Sequence, residues 1–230
     1  MSAAGLQHLD VGGRRIAFRL RAGSSPTLVF LPGYASDMEG AKALALDAFA
    51  EERGLGMLRL DYSGTGSSSG RFEDGTLALW IEEALTVVDQ LTDGPIIVVG
   101  SSMGGWIALH LALLRRERVS AMVGIAAAPD FTEWGFAHGD AAQAQGIARG
   151  FWESGQRLLL LAKEIAIDCA VRLLHGEVDR DVPLDVAFRL MRALRSSDVQ
   201  LNVLKGGGHR LSEPHEIRAI IGTVESLLEP

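Results

Sequence analysis

The stretch IIVVGSSMGGW, Ile96 to Trp106, decides the fold. Four β-branched residues are followed by Gly100, two serines, Met103 and a pair of glycines. A short continuous apolar run bounded by turn residues is the pattern of a strand covered on both faces. From Met103 to Arg116 the apolar residues recur at helical spacing. A buried strand therefore turns directly into a helix, with Gly100-Ser101-Ser102-Met103-Gly104 at the turn.

Working outward, the same alternation repeats. TLVFL (Thr27 to Leu31), GMLRL ending at Leu60, VSAMVGIAA ending at Ala127, AVRLLHG ending at Gly176 and VQLNVL ending at Leu204 all read as covered strands. RRIAFRL, near Arg14 to Leu20, alternates polar and apolar and reads as an outer antiparallel strand. Between the runs, Trp80, Ala84, Val88 and Leu91 recur every three or four positions after Leu77, and Val186 to Leu194 and His215 to Leu228 do likewise. Repeated β–α alternation predicts an α/β fold with a doubly wound, mostly parallel sheet and helices on both faces, in a single domain over residues 1–230.

In such a sheet, function collects at the carboxyl ends of the strands. Gly100 to Gly104 is G-x-S-x-G, the nucleophile elbow, a turn so tight that only small residues fit two before and two after the exposed serine. That spacing selects Ser102 over Ser101. A lone motif of this kind arises by chance, but it demands an acid and a histidine later in the chain, in that order. RLLHGEVDRDVP puts Asp179 just past one strand end, and VLKGGGHRLSEP puts His209 just past the next. A serine hydroxyl needs an imidazole to take its proton and a carboxylate to orient that imidazole. Ser102, His209 and Asp179 are thus the expected catalytic residues, with Asp181 as the alternative acid. His175 reads as a packed histidine, His110 falls in the helix after the elbow, His138 in a loop, His215 at a solvated helix start, and His8 has no context.

The oxyanion that forms at the carbonyl needs two donors. The backbone N–H of Met103 is supplied by the elbow, and that of Tyr34, after Pro32-Gly33, is the expected second. Ser36 and Glu39 predict a capping box opening the next helix. The glycine-rich LDYSGTGSSSGRF has no following Lys-Ser/Thr and misses the dinucleotide spacing, so it reads as a tight loop with Asp61 bonding locally. No His, Cys or Asp set has metal-ligand spacing, and no cofactor or metal is expected.

Composition bounds the partners. The chain has 230 residues, 47% hydrophobic and 22% charged, with a net charge of −7, which excludes a nucleic-acid surface of the usual basic kind. No apolar run approaches the ~18 residues of a membrane span. The opening residues show neither a secretory signal nor a mitochondrial transit peptide, and with the single Cys169 they predict a reducing, bacterial-type cytoplasm.

FLPGYASDMEGAKALAL, RLDYSGTGSSSG, VVGSSMGGW, RLLHGEVDRDVP and GHRLSEP lie between Phe30 and Pro214. As a set they resemble the α/β-hydrolases, and more narrowly the family of α/β-hydrolase domain-containing protein 10, palmitoyl-protein thioesterases and acyl-glucuronide hydrolases with bacterial relatives. The resemblance implies the same nucleophile, acid and base: Ser102, Asp179 and His209. The expected substrate is a small ester or thioester. The runner-up activities are a serine peptidase or a perhydrolase/haloperoxidase-like enzyme, and a non-catalytic binding protein on the same fold is the alternative of another class. The segment 129–168 matches this family loosely and sits where such folds carry a lid. Its aromatics either close a small core of their own or line an acyl pocket, for which Trp134, Phe136 and Trp152 are the expected lining.

Overall fold

The computed structural model describes residues 5–136, 143 and 146–228. Eight strands form one sheet: β1 (Gln7–Val11), β2 (Arg14–Arg21), β3 (Ser24–Leu31), β4 (Leu55–Leu60), β5 (Ile96–Ser101), β6 (Val119–Ile125), β7 (Ala170–Gly176) and β8 (Val199–Leu204). Their order is β1-β2-β4-β3-β5-β6-β7-β8. The pairs β1–β2 and β2–β4 are antiparallel, and every pair from β4 to β8 is parallel. Helices given by the described residues are α1 (Ala41–Arg53), α2 (Leu77–Leu91), α3 (Met103–Leu114), the short α4 (Phe131–Trp134), α5 (Arg149–Gln156), α6 (Leu184–Ala193) and α7 (Pro214–Glu225).

The period of two along each strand splits the core into two layers. Val29, Leu31, Leu58, Leu60, Ile96 and Val98 face α2 and α3. Leu28, Phe30, Met57, Ile97 and Val99 face α1 and α7. All six residues of β5 are buried, as expected for a central strand. On α3, ten consecutive residues from Met103 to Ala112 are buried, because Phe151, Leu160, Ile165 and Ile167 pack into the same core as the sheet and α2.

Three sequence expectations need correcting. The strand at Arg14–Arg21 is not the outer one: Gln7–Val11 pairs with its free side in full register. Five mostly polar residues gave β1 no apolar signal. The run Val199–Leu204 is not covered on both faces; it is the edge strand, partly exposed along its whole length. Ser36 and Glu39 do not cap a helix. Helix α1 starts later, after Gly40 and without a side-chain cap, and the Glu39 carboxylate goes instead to Arg19 and Arg59. The capping box lies at α7, where Glu213 and Glu216 satisfy each other's backbone N–H beside Pro214.

Candidate active site

The turn from β5 to α3 explains its glycines by contact. A Cβ on Gly100 would run into the Gly104 carbonyl, and one on Gly104 into the Leu31 carbonyl. Between them Ser102 adopts φ 53° and ψ −120°, strained for a residue with a side chain. The turn is held against β6: the Ser102 N–H donates to Ile125 O at 2.9 Å, and the Ser102 carbonyl accepts from Ala128 N at 3.1 Å.

The Ser102 Oγ lies 3.0 Å from His209 Nε2, and His209 Nδ1 lies 2.9 Å from Asp179 Oδ2. The order of the three along the chain follows the sheet. Asp179 leaves the end of β7, and His209 leaves the loop after its neighbour β8. The Asp179 side chain is fully buried. Burial pushes its carboxyl up, but the His209 hydrogen bond and the N–H groups of Val182 and Asp181 outweigh that and hold it below the ordinary carboxylate range. Asp181 is exposed and reaches Asp179 through its backbone N–H only. Ser101 is buried at the end of β5, and the His209 ring meets its neighbour Ser102.

Of the other histidines, His175 is buried beside the acid, with Nε2 2.9 Å from Val182 O and 3.6 Å from Asp179 Oδ2. His110 Nε2 meets Leu158 O at 3.2 Å, and His8 Nε2 meets Ser67 O at 3.2 Å. His215 is exposed in the first turn of α7, and His138 lies outside the described residues. Among the described residues, Asp179, Asp181 and His209 bring one potential metal-ligating atom each within 4.8 Å. Two of those atoms already face each other across the Asp179–His209 hydrogen bond, so a cation there would have to displace the shared proton.

Tyr34 follows Gly33 in the turn after β3, and the same turn approaches the elbow closely: a Cβ on Gly33 would stand 3.3 Å from Ser102 Cβ. Met103 is the first residue of α3, so its N–H has no acceptor within the helix. The Tyr34 side chain does something the sequence did not announce. Its ring centroid lies 4.9 Å from both Phe72 and Phe151, and its hydroxyl accepts from Ala148 N at 3.1 Å. It thereby ties the β3 turn to the crossover; an isolated tyrosine in a turn carries no sequence signal for that.

Two cavities of about 450 Å³ each meet at Ser102 and His209. One is walled by Phe131, Trp134, Phe136, Ile147 and Val182, with Arg180 and Asp181 also in its lining. The other is walled by Ser36, Asp37, Lys42, Arg210 and Ser212. Trp152, expected in the apolar wall, stands outside it and packs on the main core with its indole N–H buried and unpaired. Phe151 is wholly buried against Tyr34, Trp80 and Phe131. The aromatics of the segment thus divide between a small core and a cavity wall.

The alpha/beta hydrolase fold family matches residues 26–164, a span that includes Ser102 but ends before Asp179 and His209. The human palmitoyl-protein thioesterase ABHD10, mitochondrial, is 34% identical over 234 residues, covering 93% of this chain and 76% of that protein. Among solved structures, mouse alpha/beta hydrolase domain-containing protein 10 aligns with a TM-score of 0.91 at 33% identity, and a putative hydrolase from Agrobacterium vitis S4 with 0.90 at 37%; each alignment covers 98% of both chains. The expectation of a cytoplasmic location is overturned by the palmitoyl-protein thioesterase relatives, which are named as mitochondrial. A single cysteine bears on redox state alone, and a reducing environment does not separate cytoplasm from the mitochondrial interior. With its sheet, its elbow and these relatives in agreement, the chain belongs to the α/β-hydrolase family.

Proposed function

We propose that the protein is a serine hydrolase of carboxylic esters or thioesters that works through an acyl-enzyme. The observation that carries this reading is the unbroken relay from the Ser102 hydroxyl through His209 to the buried Asp179. As Ser102 Oγ attacks the carbonyl carbon, His209 Nε2 takes its proton. Asp179 keeps the other ring nitrogen protonated and stabilises the imidazolium. The oxyanion is received by the N–H groups of Met103 and Tyr34. His209 then returns the proton to the departing alcohol or thiol. Water attacks the acyl-serine by the same route and releases the acid.

The cavity walled by Phe131, Trp134 and Phe136 suits the acyl chain and the one beside Lys42 and Arg210 the leaving group, with the 129–168 segment acting as a cap over a single catalytic domain. The relatives named palmitoyl-protein thioesterase support the thioester half of the proposal. Nothing in this mechanism requires a cofactor. The deciding experiment incubates the protein with a fluorophosphonate probe and assays butyryl esters and thioesters. A phosphonylated Ser102 peptide and turnover of at least one class are expected. Labelling elsewhere, or no turnover of either class, would overturn the reading.

A further inference from the structure

The glycine-rich stretch LDYSGTGSSSG, set aside above as neither a nucleotide nor a phosphate loop, surrounds one buried carboxylate. Asp61 follows the last residue of β4 and is 1% exposed. Its Oδ1 accepts the Met38 N–H at 2.7 Å, and its Oδ2 accepts the Ser67 N–H at 2.8 Å. The Ser68 hydroxyl closes the turn onto the Asp61 carbonyl at 2.8 Å. Gly66 has φ +48°, and a Cβ there would overlap the Asp61 carboxylate, so the glycine lets the backbone close around the side chain.

Two residues within two positions of Asp61, Arg59 and Tyr62, reach the same loop. Arg59 is 2% exposed and donates to the Met38 carbonyl at 2.6 Å. Tyr62, fully buried, donates its hydroxyl to the Pro32 carbonyl at 3.3 Å. The end of β4 therefore holds the Pro32–Met38 loop at both ends, with Tyr34 between them. An aspartate is needed rather than an asparagine. Both of its oxygens face N–H donors, and an amide would turn its own NH₂ against one of them. Placing three polar side chains in the core between apolar layers is expensive, and an ordinary surface loop would not require it.

We propose that Asp61, with Tyr62 beside it, is a positioning residue for the oxyanion hole: it sets where the Tyr34 N–H points, through the backbone of the loop that carries it. The inference rests on the proposed oxyanion role of Tyr34. A donor misplaced by a fraction of an ångström binds the ground-state carbonyl nearly as well but stabilises the developing oxyanion poorly.

The test compares wild type, Asp61→Asn and Tyr62→Phe on a butyryl ester, with a butyl trifluoromethyl ketone as the probe that forms a tetrahedral oxyanion on Ser102. Asp61→Asn is expected to lower kcat roughly 10–100-fold with KM within about twofold, and to raise the ketone Ki in step with the kcat loss. Tyr62→Phe removes one hydroxyl and keeps the ring stacked on Trp80. It is expected to act in the same direction by roughly 3- to 10-fold, and it decides the matter alone if Asp61→Asn does not fold. Folded variants with wild-type kcat and Ki, altered only in Tm, would overturn the inference. Failure of the hydrolase reading is distinct, because it shows as wild-type activity that survives Ser102→Ala.

Discussion

Replacing Ser102 by alanine is expected to lower kcat by ~10⁴-fold or more, the usual cost of removing one member of a cooperating set. Ser101→Ala is expected to keep most of the activity, because it removes no part of the Ser102–His209–Asp179 relay. Initial rates and a mass-mapped probe adduct check both; an adduct on Ser101 would reverse the assignment. Asp179→Asn leaves the shape but favours the wrong imidazole tautomer, so a loss of ~10⁴-fold in kcat is expected. Asp181→Asn leaves its backbone N–H bond to Asp179 in place and is expected to cost little. Equal losses from the two substitutions would show that both carboxylates serve the imidazole. These residues were legible because a strained turn admits few side chains and because the order of acid and histidine is a long-range constraint written in one dimension. Arg59 and the Tyr34 side chain were not legible. An arginine inside a strand or a tyrosine in a turn finds its purpose only in partners 12 to more than 100 residues away.

At the scale of elements, short covered strands and amphipathic helices could be read locally, whereas position within the sheet could not. The run ending at Leu204 has the same apolar character as its neighbours, yet it is an edge, since strand order depends on the path of the crossovers. The crossover between β6 and β7 shows the same limit. Its aromatics are countable in the sequence, but which of them face a cavity is set by the packing of α4 and α5. Buried Asp130 fixes this arrangement by accepting the Leu160 and Leu161 N–H groups, so the start and return of the segment are stapled together. With Trp134 in the apolar wall, Trp134→Ala is expected to flatten the dependence of kcat/KM on acyl length between C2 and C8, leaving acetyl ester turnover nearly unchanged. Each CH₂ that the wall covers contributes about 0.8 kcal/mol at most. Trp152→Ala is expected to lower Tm and leave that dependence intact, because its ring packs on the core. A chain-length series on both variants separates the two roles. Wild-type preference for palmitoyl over butyryl substrates would show that the cavity extends well beyond this wall.

For the molecule as a whole, acid affects activity and stability through different histidines. The proposed base must be neutral to take the Ser102 proton, so kcat/KM is expected to fall on the acid side. His110 acts on the fold instead. It lies on α3, and its Nε2 meets Leu158 O, which also accepts the Trp106 indole N–H at 3.3 Å; together these bonds dock the returning crossover on the central helix. Burial lowers the His110 pKa from its ordinary value despite the Leu158 hydrogen bond. In the unfolded chain the same ring takes up its proton near pH 6.5. The stability that His110 contributes is therefore fully present above about pH 6.5 and is lost as the pH falls towards its lowered folded value. Asp61 and Asp130, pushed up by burial, act in the opposite sense but nearer the carboxylate range. A comparison of two proteins that share them removes their contribution. His110→Gln keeps a donor for Leu158 O but does not titrate. The variant is expected to show a flatter Tm between pH 7 and 5.5 than wild type, while the acid limb of kcat/KM stays where it was. Parallel Tm curves for the two proteins would mean that His110 is protonated in the folded state and that acid loosens the molecule somewhere else.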